Sequence, residues 1–466
     1  MNKVVTSAGL LALGAAALHA YDPEMTRAKS GRPFTVSAVV RGFYDDNPTT
    51  SPDKFVAGSR QVGTTPSGAP ILGPVFGKPE GSFGVEVNPS IHVNLPLEQT
   101  FIRAGYVYSY RWYENRESSA DQSHEFNALL RHTFSPRHDI AISDSFSFSD
   151  EPTVTDRFGI ITSPTRTEAT AYRNRGGIDY NLSLTEILAL GLGYGNTWYD
   201  YAQTGGGSRS ALLDRMEHIL RADLRYQVSP TLVGLIGYQF GMNDYTGSDF
   251  IYANRGAVAT NLVAGGMSPK AAAQAANAQS DTRNSYSHYL YLGADHDFNG
   301  SLRGSIRLGG QFVDYYNTGE SDVSPYADAS LSYVYLPGSS AQFGVRHTRN
   351  ATDIVAPDAK GRPTLDQETT AVYFEINHQI TRNLKANASA QAQFSSFSSG
   401  AADSRDENLY LFGINLTYEV SRHWSVETGL SHDILESDQN MRIGGRTIET
   451  RSYNRSRVYV GVRGTY

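Results

Sequence analysis

The sequence predicts an all-β fold, a single transmembrane antiparallel β-barrel of about 18 strands. Apolar and polar residues alternate along most of the chain, which is the period of a strand with two different faces. Short and long connections alternate between these segments, as in outer-membrane barrels. After residue 20, no apolar run reaches the roughly 20 residues that a membrane-spanning helix needs.

The composition excludes several other classes of protein. The chain has 466 residues, 40 Lys and Arg against 47 Asp and Glu, and no cysteine. Without cysteine it is not a disulfide-stapled scaffold, and an acidic chain without a basic block is not a typical nucleic-acid binder. Aromatic residues make up 11%, which argues against disorder, while only 39% are hydrophobic, which is low for a conventional core.

The N-terminus has the layout of a secretory signal peptide. Lys3 is followed by an apolar stretch that ends near Ala20, so residues 1–20 are expected to direct export. An anchor helix is the alternative, but the run is too short to cross a bilayer. We expect residues 21–33 to form a short periplasmic segment, residues 34–466 to form the barrel, and the protein to reside in the outer membrane of a Gram-negative-type envelope.

The first predicted strand shows the alternation. Phe34, Val36, Val40 and Tyr44 fall on one face, and Arg41 falls on the other. The same pattern recurs along the chain to its C-terminus. Eight short turns rich in Gly, Pro, Asn and Ser separate strands on one side of the barrel. Nine longer polar connections on the other side complete the count of 18 strands: 45–81, 115–122, 149–168, 202–214, 242–284, 317–323, 351–367, 397–405 and 436–449.

A soluble all-β protein is the main structural alternative. It is disfavoured because the second face of each strand carries Arg, Asp, Gln, Ser and Tyr, which cannot form a dry core. Aromatic residues also gather at strand ends, as in interfacial girdles. Asp144 is an exception, since it falls on the apolar face; it lies either near the membrane interface or beside a β-bulge that shifts the register.

The last strand carries an apolar face that ends in an aromatic residue. This pattern resembles the recognition signal of outer-membrane barrels, so the barrel-assembly machinery is an expected partner. The residues concerned are Val458, Val460, Val462 and Tyr466.

The end of the first strand reads Tyr44-Asp45-Asp46-Asn47. This motif resembles the opening of the type 2 family of β-barrel porins. The resemblance implies an outer-membrane barrel without a catalytic motif, and some related barrels are associated with exopolysaccharide export.

Alternation also predicts which charged side chains line the lumen. Among all inward charges we count 13 cations and 8 anions, an excess that predicts weak anion selectivity. The alternative is that these charges pair across strands and stiffen the wall. The predicted pore-lining residues are Arg41, Glu86, Arg103, Arg111, Arg131, Arg173, Arg175, Asp179, Arg221, Asp223, Arg225, Asp295, Arg303, Arg307, Arg346, Glu375, Glu419 and Arg463.

Two long connections, 45–81 and 242–284, are candidates to narrow the pore. The second contains Ser268 and Pro269 ahead of an alanine-rich run, a pattern that predicts a short helix.

We expect passive passage of small polar solutes, with no enzymatic activity, metal or cofactor. Alternation places His296 on the face opposite Asp295 and Asp297, so these residues do not form a metal site. The alternatives are a conduit for exopolysaccharide export, with glycans as cargo, and a closed structural or adhesive barrel. Outer-membrane lipid is the expected surrounding, nucleic acid is not an expected partner, and homo-oligomers remain open.

Overall fold

The computed structural model describes residues 33–52, 55–64, 70–77, 79–116, 120–150, 154–155, 161–163, 169–438, 440–443, 446–449 and 451–466. For residues 55–77, 154–163 and 440–449 only the backbone is described. The expected signal peptide and residues 21–32 lie outside the described residues.

Eighteen strands form one sheet, as the sequence predicted. They are β1 Phe34–Asp45, β2 Ser82–Pro96, β3 Thr100–Tyr113, β4 Ala120–Ser135, β5 His138–Ser149, β6 Ala171–Ser183, β7 Leu188–Tyr201, β8 Arg215–Ser229, β9 Leu232–Tyr245, β10 Ser285–Asp297, β11 Leu302–Tyr315, β12 Glu320–Leu336, β13 Ser339–Asn350, β14 Asp366–Gln379, β15 Leu384–Ser398, β16 Asp406–Glu419, β17 Trp424–Ser437 and β18 Tyr453–Thr465.

Each strand pairs antiparallel with its neighbour in the chain, and β1 also pairs with β18. This seam runs from Ser37 opposite Thr465 to Asp45 opposite Arg457. Beyond the last strand, the N–H of Tyr466 donates to the carbonyl oxygen of Val36 at 2.8 Å, and the N–H of Val36 donates back at 3.0 Å. The sheet is therefore a closed barrel without a free edge, the only β arrangement that satisfies its backbone in lipid.

The Tyr44–Asn47 motif fastens the extracellular end of this seam. The Asp45 carboxylate accepts from Arg455 Nη2 at 2.6 Å, and Asp46 Oδ1 accepts from the N–H of Ser456 at 2.6 Å. The Asn47 side-chain amide donates to the carbonyl oxygen of Asn454 at 3.0 Å. Three consecutive side chains thus join the end of β1 to the start of β18, so the motif has a structural role in barrel closure.

The outward face of the barrel is apolar. Val460 and Tyr466 in the predicted assembly signal point outward and are 59% and 70% exposed, and Val458 and Val462 lie on the same face. Leu292 and Val323, on strands elsewhere in the barrel, are similarly exposed. A soluble monomer rarely presents such a continuous apolar surface to water, whereas lipid covers it without cost.

Aromatic residues border this surface near both ends of the strands. Trp112 is exposed at the loop end of β3, and Phe134, Tyr226 and Trp424 are exposed beside short turns, as expected of two girdles. Several outward histidines pair with a tyrosine on the next strand, or one strand further in Tyr335–His378, which satisfies polar atoms near the lipid. Tyrosine hydroxyl and histidine Nδ1 lie 2.7–3.0 Å apart in Tyr106–His124, Tyr180–His138, Tyr194–His218, Tyr238–His288 and Tyr335–His378.

The connections follow the predicted division into short turns and long loops. At the turn between β10 and β11, Gly300 adopts a φ of +71°, which only glycine takes without strain. The long connection between β9 and β10 contains helices α2 (Arg255–Ala264) and α3 (Pro269–Ala276), and α1 (Arg209–Leu213) precedes β8. Ser268 Oγ caps α3 by accepting from the N–H of Ala271 at 3.3 Å, as the sequence predicted. No helix within the described ranges has the length and apolar character needed to span a membrane.

Asp144 does lie on the outward face, and its strand has no bulge there. The pairing of β5 with β4 and β6 is uninterrupted around Asp144, so a shift of register is not the explanation. Its carboxylate accepts from Asn174 Nδ2 at 3.2 and 3.3 Å. Ile142 and Phe146 flank it on the same face, which places the carboxylate within the apolar belt.

The substitution Asp144→Asn should therefore stabilise the barrel. It removes a charge from the lipid-facing surface and keeps an oxygen that accepts from Asn174, a gain of about 1 kcal/mol. The free energy of unfolding in lipid vesicles, obtained by denaturant titration, measures it. Asp200→Asn is the matched control, since Asp200 shares the outward face but lies near the extracellular end of β7, and it should change stability little. Destabilisation by Asp144→Asn would show that Asp144 has a partner that compensates its charge.

Candidate functional site

The barrel lumen is the candidate site. The structure places each predicted pore-lining side chain on the face opposite the exposed apolar residues, at inward positions of its strand. Hydrogen bonds on this face join strands that are not direct neighbours, because side chains converge on the inside of a curved sheet. Arg457 on β18, for example, contacts Glu86 on β2 across the intervening β1. Whether these residues line a conducting pore stays a prediction.

An arginine-rich cluster surrounds Glu86 on the wall formed by β1, β2, β3 and β18. Glu86 is 3% exposed; Arg41 Nη1 lies 3.0 Å from its Oε1, and Arg111 Nε lies 3.5 Å from its Oε2. Arg457 also donates to Glu86. Three guanidinium groups thus share one carboxylate, which leaves this part of the wall positive.

A second carboxylate extends the cluster to β17. Glu427 Oε1 accepts from Arg41 Nε at 2.5 Å, and Glu427 Oε2 lies 3.3 Å from Arg463 Nη2. Four arginines and two glutamates therefore form one continuous network across the closing strands. We call it the seam cluster: Arg41, Glu86, Arg111, Glu427, Arg457 and Arg463.

Elsewhere the lumen charges pair locally. On β6 and β8, Arg221 Nη2 lies 2.6 Å from Asp179 Oδ1, and Arg225 Nη2 lies 3.5 Å from Asp223 Oδ2. Further round the wall the pairs are Arg307–Asp295 at 2.7 Å, Arg346–Asp328 at 2.5 Å and Lys385–Glu419 at 2.9 Å. Cross-strand pairing, the alternative considered from the sequence, thus accounts for much of the lumen charge.

The predicted excess of lumen cations came from an incomplete set of carboxylates. Asp45, Asp121, Asp139 and Asp328 are buried or half-buried on inward positions and were not included. Two arginines, Arg455 and Arg457, were missed as well, although the two-residue period from Arg463 reaches both. With these six residues the surplus of lumen cations falls from five to three, and the seam cluster, with four arginines and two glutamates, carries two of these three charges.

The connection between β13 and β14, residues 351–365, crosses the extracellular mouth; we call it the crossing loop. Its Asp353 carboxylate, 1% exposed, receives Arg451 Nη2 at 3.1 Å and Arg209 Nη1 at 3.2 Å. Arg209 belongs to the connection from β7 to β8 and Arg451 to that from β17 to β18. The two connections are separated by ten strands in one direction around the barrel and by eight in the other. Asp353 therefore bridges nearly opposite sides of the mouth.

Other contacts hold the rest of the crossing loop. Ile354 packs with Phe397 and Ala402 at the connection from β15 to β16, and Leu365 packs with Val313 and Tyr315 on β11. A backbone hydrogen bond also ties the crossing loop to the connection from β15 to β16, as the N–H of Ala401 donates to the carbonyl oxygen of Ala356 at 2.9 Å. The loop is therefore anchored at several points around the mouth.

The helical connection between β9 and β10 lies against the crossing loop. A Cβ added to Gly361 would come within 2.5 Å of the Cβ of Ala275 in α3, so only glycine permits this approach. Of the two connections expected to narrow the pore, residues 242–284 thus reach the mouth by packing on the crossing loop. The side chains of residues 53–78 in the other lie outside the described residues. The sequence places residues 351–367 among the longer connections but does not predict that they cross the mouth, because a polar connection carries no local signal of where it folds.

The histidine and aspartate residues near the β10–β11 turn do not converge. His296 packs against the ring of Phe298, with centroids 4.3 Å apart, while Asp295 pairs with Arg307 on the other face. This agrees with the alternation seen in the sequence.

Comparison with known proteins gives a family for part of the chain. Residues 275–466 match the family model described as "Putative beta-barrel porin 2". This is the family that the Tyr44–Asn47 motif resembles. The match covers less than half of the chain, and it agrees with the closed 18-stranded β-barrel.

Solved outer-membrane proteins align over nearly the whole barrel at low similarity. OccK2 (OpdF) from Pseudomonas aeruginosa has a TM-score of 0.42 and 9% identity, covering 93% of this chain and 98% of that one. OccAB4 from Acinetobacter baumannii has a TM-score of 0.38 and 9% identity, with coverages of 93% and 99%. The FrpB iron transporter from Neisseria meningitidis (F5-1 variant) has a TM-score of 0.41 and 11% identity, with coverages of 93% and 82%. No curated protein matches the chain.

The substitution Asp353→Asn should loosen the crossing loop. It leaves Arg209 and Arg451 near a neutral amide and weakens the three charge-assisted hydrogen bonds that they donate, a loss of about 2 kcal/mol in the local opening free energy. Amide hydrogen exchange of residues 351–365 in lipid measures this opening free energy. Exchange should be roughly 30-fold faster in the variant than in the wild type.

The control is Asp358→Asn in the same loop. Asp358 pairs with the exposed Arg362 at 2.9 Å within the loop and does not reach another connection. It should leave exchange at Thr352 and Asp353 unchanged. Equal effects of the two substitutions would mean that Asp353 does not anchor the loop to the opposite sides of the mouth.

Proposed function

We propose that this protein is a porin-like channel that lets small polar solutes cross the outer membrane passively, with the crossing loop setting the size of the aperture. The observation that carries the proposal is a closed barrel of 18 strands whose polar face points inward. Eighteen strands spaced by about 4.8 Å and tilted by about 40° give a barrel roughly 35 Å across. Such an interior is too wide for side chains alone to fill.

Exposure on the inward face supports a wet interior. Glu125 and Arg131 on β4 and Ser389 on β15 are exposed although they point inward. Charged and hydroxyl side chains exposed inside a barrel require water. Towards the extracellular end, inward residues such as Tyr199 and Leu435 are instead buried under the loops. The water-filled part therefore narrows at the mouth, where the crossing loop lies.

The seam cluster supports a weak preference for anions. Its four arginines and two glutamates leave positive charge on one side of the wall, and arginine presents several donors to carboxylate or phosphate groups. Because most other lumen charges are paired, the preference should be small.

Export and assembly complete the proposal. Residues 1–20 act as a signal peptide, and the terminal strand with Tyr466 is recognised by the barrel-assembly machinery. The apolar outward face supports insertion once the barrel reaches the outer membrane.

Planar-bilayer recording tests the channel. The wild-type protein should conduct, and a variant whose residues 352–365 are replaced by a short turn should conduct several times more. A short turn suffices because Asn350 and Gln367 are directly paired at the ends of β13 and β14. Deleting residues 255–264 of α2 is the comparison, and it should have a smaller effect because α2 does not bridge the mouth.

Three results would count against this proposal. Absence of conductance in both proteins would indicate a closed structural barrel. Equal conductance in both would mean that the crossing loop does not set the aperture. Slow block by long glycans, with little passage of small solutes, would favour an export conduit.

The substitution Arg111→Gln should reduce anion preference. Arg111 is the most exposed arginine of the seam cluster, and Glu86 keeps Arg41 and Arg457 as partners. In a tenfold salt gradient, the reversal potential of the wild type should have the sign that indicates a slight preference for anions. The reversal potential of the variant should lie closer to zero. Arg303→Gln is the control, since Arg303 pairs with Asp297 near the periplasmic turn. A wild-type preference for cations would contradict the selectivity.

A further inference from the structure

A small cavity lies behind the crossing loop, between it and the wall formed by β8 to β11, β13 and β14. Its volume is about 60 Å³. The charged groups that line it are Arg215, Glu217, Arg283, Arg349 and Asp366, and Ala351 and Leu365 close it from the loop side. The cavity is separate from the seam cluster, which lies on β1 to β3, β17 and β18.

Arg283 is the unusual residue of this cavity. It is 1% exposed and lies at the end of the connection from β9 to β10. Its Nη1 donates to the carbonyl oxygen of Thr352 at 3.1 Å, its Nη2 donates to that of Leu212, and its guanidinium lies 4.2 Å from the centre of the Tyr245 ring. Among the described side chains, no carboxylate forms an ion pair with Arg283, and its Nε is buried without a hydrogen-bond partner.

The other charges of the lining are already matched. Arg215, fully buried, pairs with Glu217 at 2.8 Å, and Arg349 pairs with Asp366 at 3.1 Å. Arg349 also contacts Asp322 and Glu368, neither of which lines the cavity. The positive charge of Arg283 therefore remains without a counter-charge in the lining.

Asp353, next in the chain to Thr352, does not compensate the charge of Arg283. Its carboxylate forms ion pairs with Arg209 and Arg451 instead. Burial lowers the pKa of Arg283, and the neighbouring Arg215 lowers it further. An ionised group in this position is stable only if a counter-charge or strong dipoles replace its lost hydration.

A second buried donor belongs to a residue of the same lining. Arg215 Nη2 is buried and without a hydrogen-bond partner, like Arg283 Nε, and both residues line the cavity. A water needs about 10–15 Å³ of such space, so the cavity has room for a small anion and a few waters. Two unpartnered N–H groups from two fully buried guanidinium groups are the donors that a halide or similar anion accepts from.

We propose that the cavity is a binding site for one small monovalent anion of the size of chloride, held by Arg283 and Arg215. The anion completes the charge balance of the lining and accepts from the two free N–H groups. Because Arg283 also holds the carbonyl groups of Leu212 and Thr352, occupancy fixes the crossing loop to its neighbouring connection. The site thus makes the stability of the loop region depend on the anion, whether or not the barrel conducts.

Bromide locates the site directly. In crystals of the whole protein grown with sodium bromide, anomalous diffraction at the bromine edge should show a peak within about 3.5 Å of Arg283 Nε and Arg215 Nη2. The same peak should be absent in Arg283→Gln and present in Arg303→Gln. A wild-type crystal without a peak in the cavity would overturn the proposal.

Thermal unfolding in detergent provides a second, independent measurement. At matched ionic strength, the unfolding temperature of the wild type should be higher in sodium chloride than in sodium gluconate, whose anion is too large for the cavity. The difference should saturate with chloride and amount to about 2 °C. Arg303→Gln should keep this difference, and Arg283→Gln should lose it.

Glu217→Gln keeps the test decisive if Arg283→Gln does not fold. It retains both arginines and removes the carboxylate that pairs with Arg215, so half-saturation should occur at a several-fold lower chloride concentration. A wild type with equal unfolding temperatures in the two salts, or a Glu217→Gln variant with unchanged half-saturation, would contradict the anion site. Neither the diffraction nor the unfolding measurement depends on conductance, so both can succeed or fail independently of the proposed channel function.

Discussion

Pairing of the first strand with the last is the interaction on which this structure depends. Lipid offers no partner for backbone N–H and C=O groups, so a sheet can cross a membrane only when it has no edge. The seam between β1 and β18 meets this condition through nine paired positions and the bonds between Val36 and Tyr466. Asp45, Asp46 and Asn47 close its extracellular end, which gives the motif that resembles the porin family a physical role.

Closure fixes the environment of every strand residue. Since side chains alternate, an apolar belt outside requires a polar wall inside, and the low hydrophobic content of the chain follows from this division. Inside, charges are paired wherever strands bring them within reach, and the wall stays positive at the seam cluster. The same logic applies at the mouth, where Asp353 and Glu407 neutralise Arg209 and Arg451 and leave Arg283 as a buried charge in need of an anion.

The barrel was predictable from the sequence because its signal is local. A period of two residues assigns each side chain to a face, and turn residues mark the strand ends, so the 18 strands and the inward position of Arg41, Glu86 or Arg307 follow without knowledge of distant residues. Asp144 was correctly assigned to the outer face, and the structure adds its partner Asn174. The crossing loop was not predictable, because its place depends on contacts such as Asp353 with Arg451, which lie far apart in sequence. The buried anion cavity likewise depends on residues from several connections.

Cysteine cross-linking of the seam tests closure most directly, since the chain contains no cysteine of its own. Ser37 and Thr465 are directly opposite, whereas Ser37 and Gly464 are one residue out of register and point to opposite faces. The structure predicts that Ser37→Cys with Thr465→Cys forms a disulfide in the membrane and yields a circular chain, detected as a reductant-sensitive shift in gel mobility after denaturation. Ser37→Cys with Gly464→Cys should remain linear. Failure of the first pair to cross-link, or equal cross-linking of both, would contradict a barrel closed in this register.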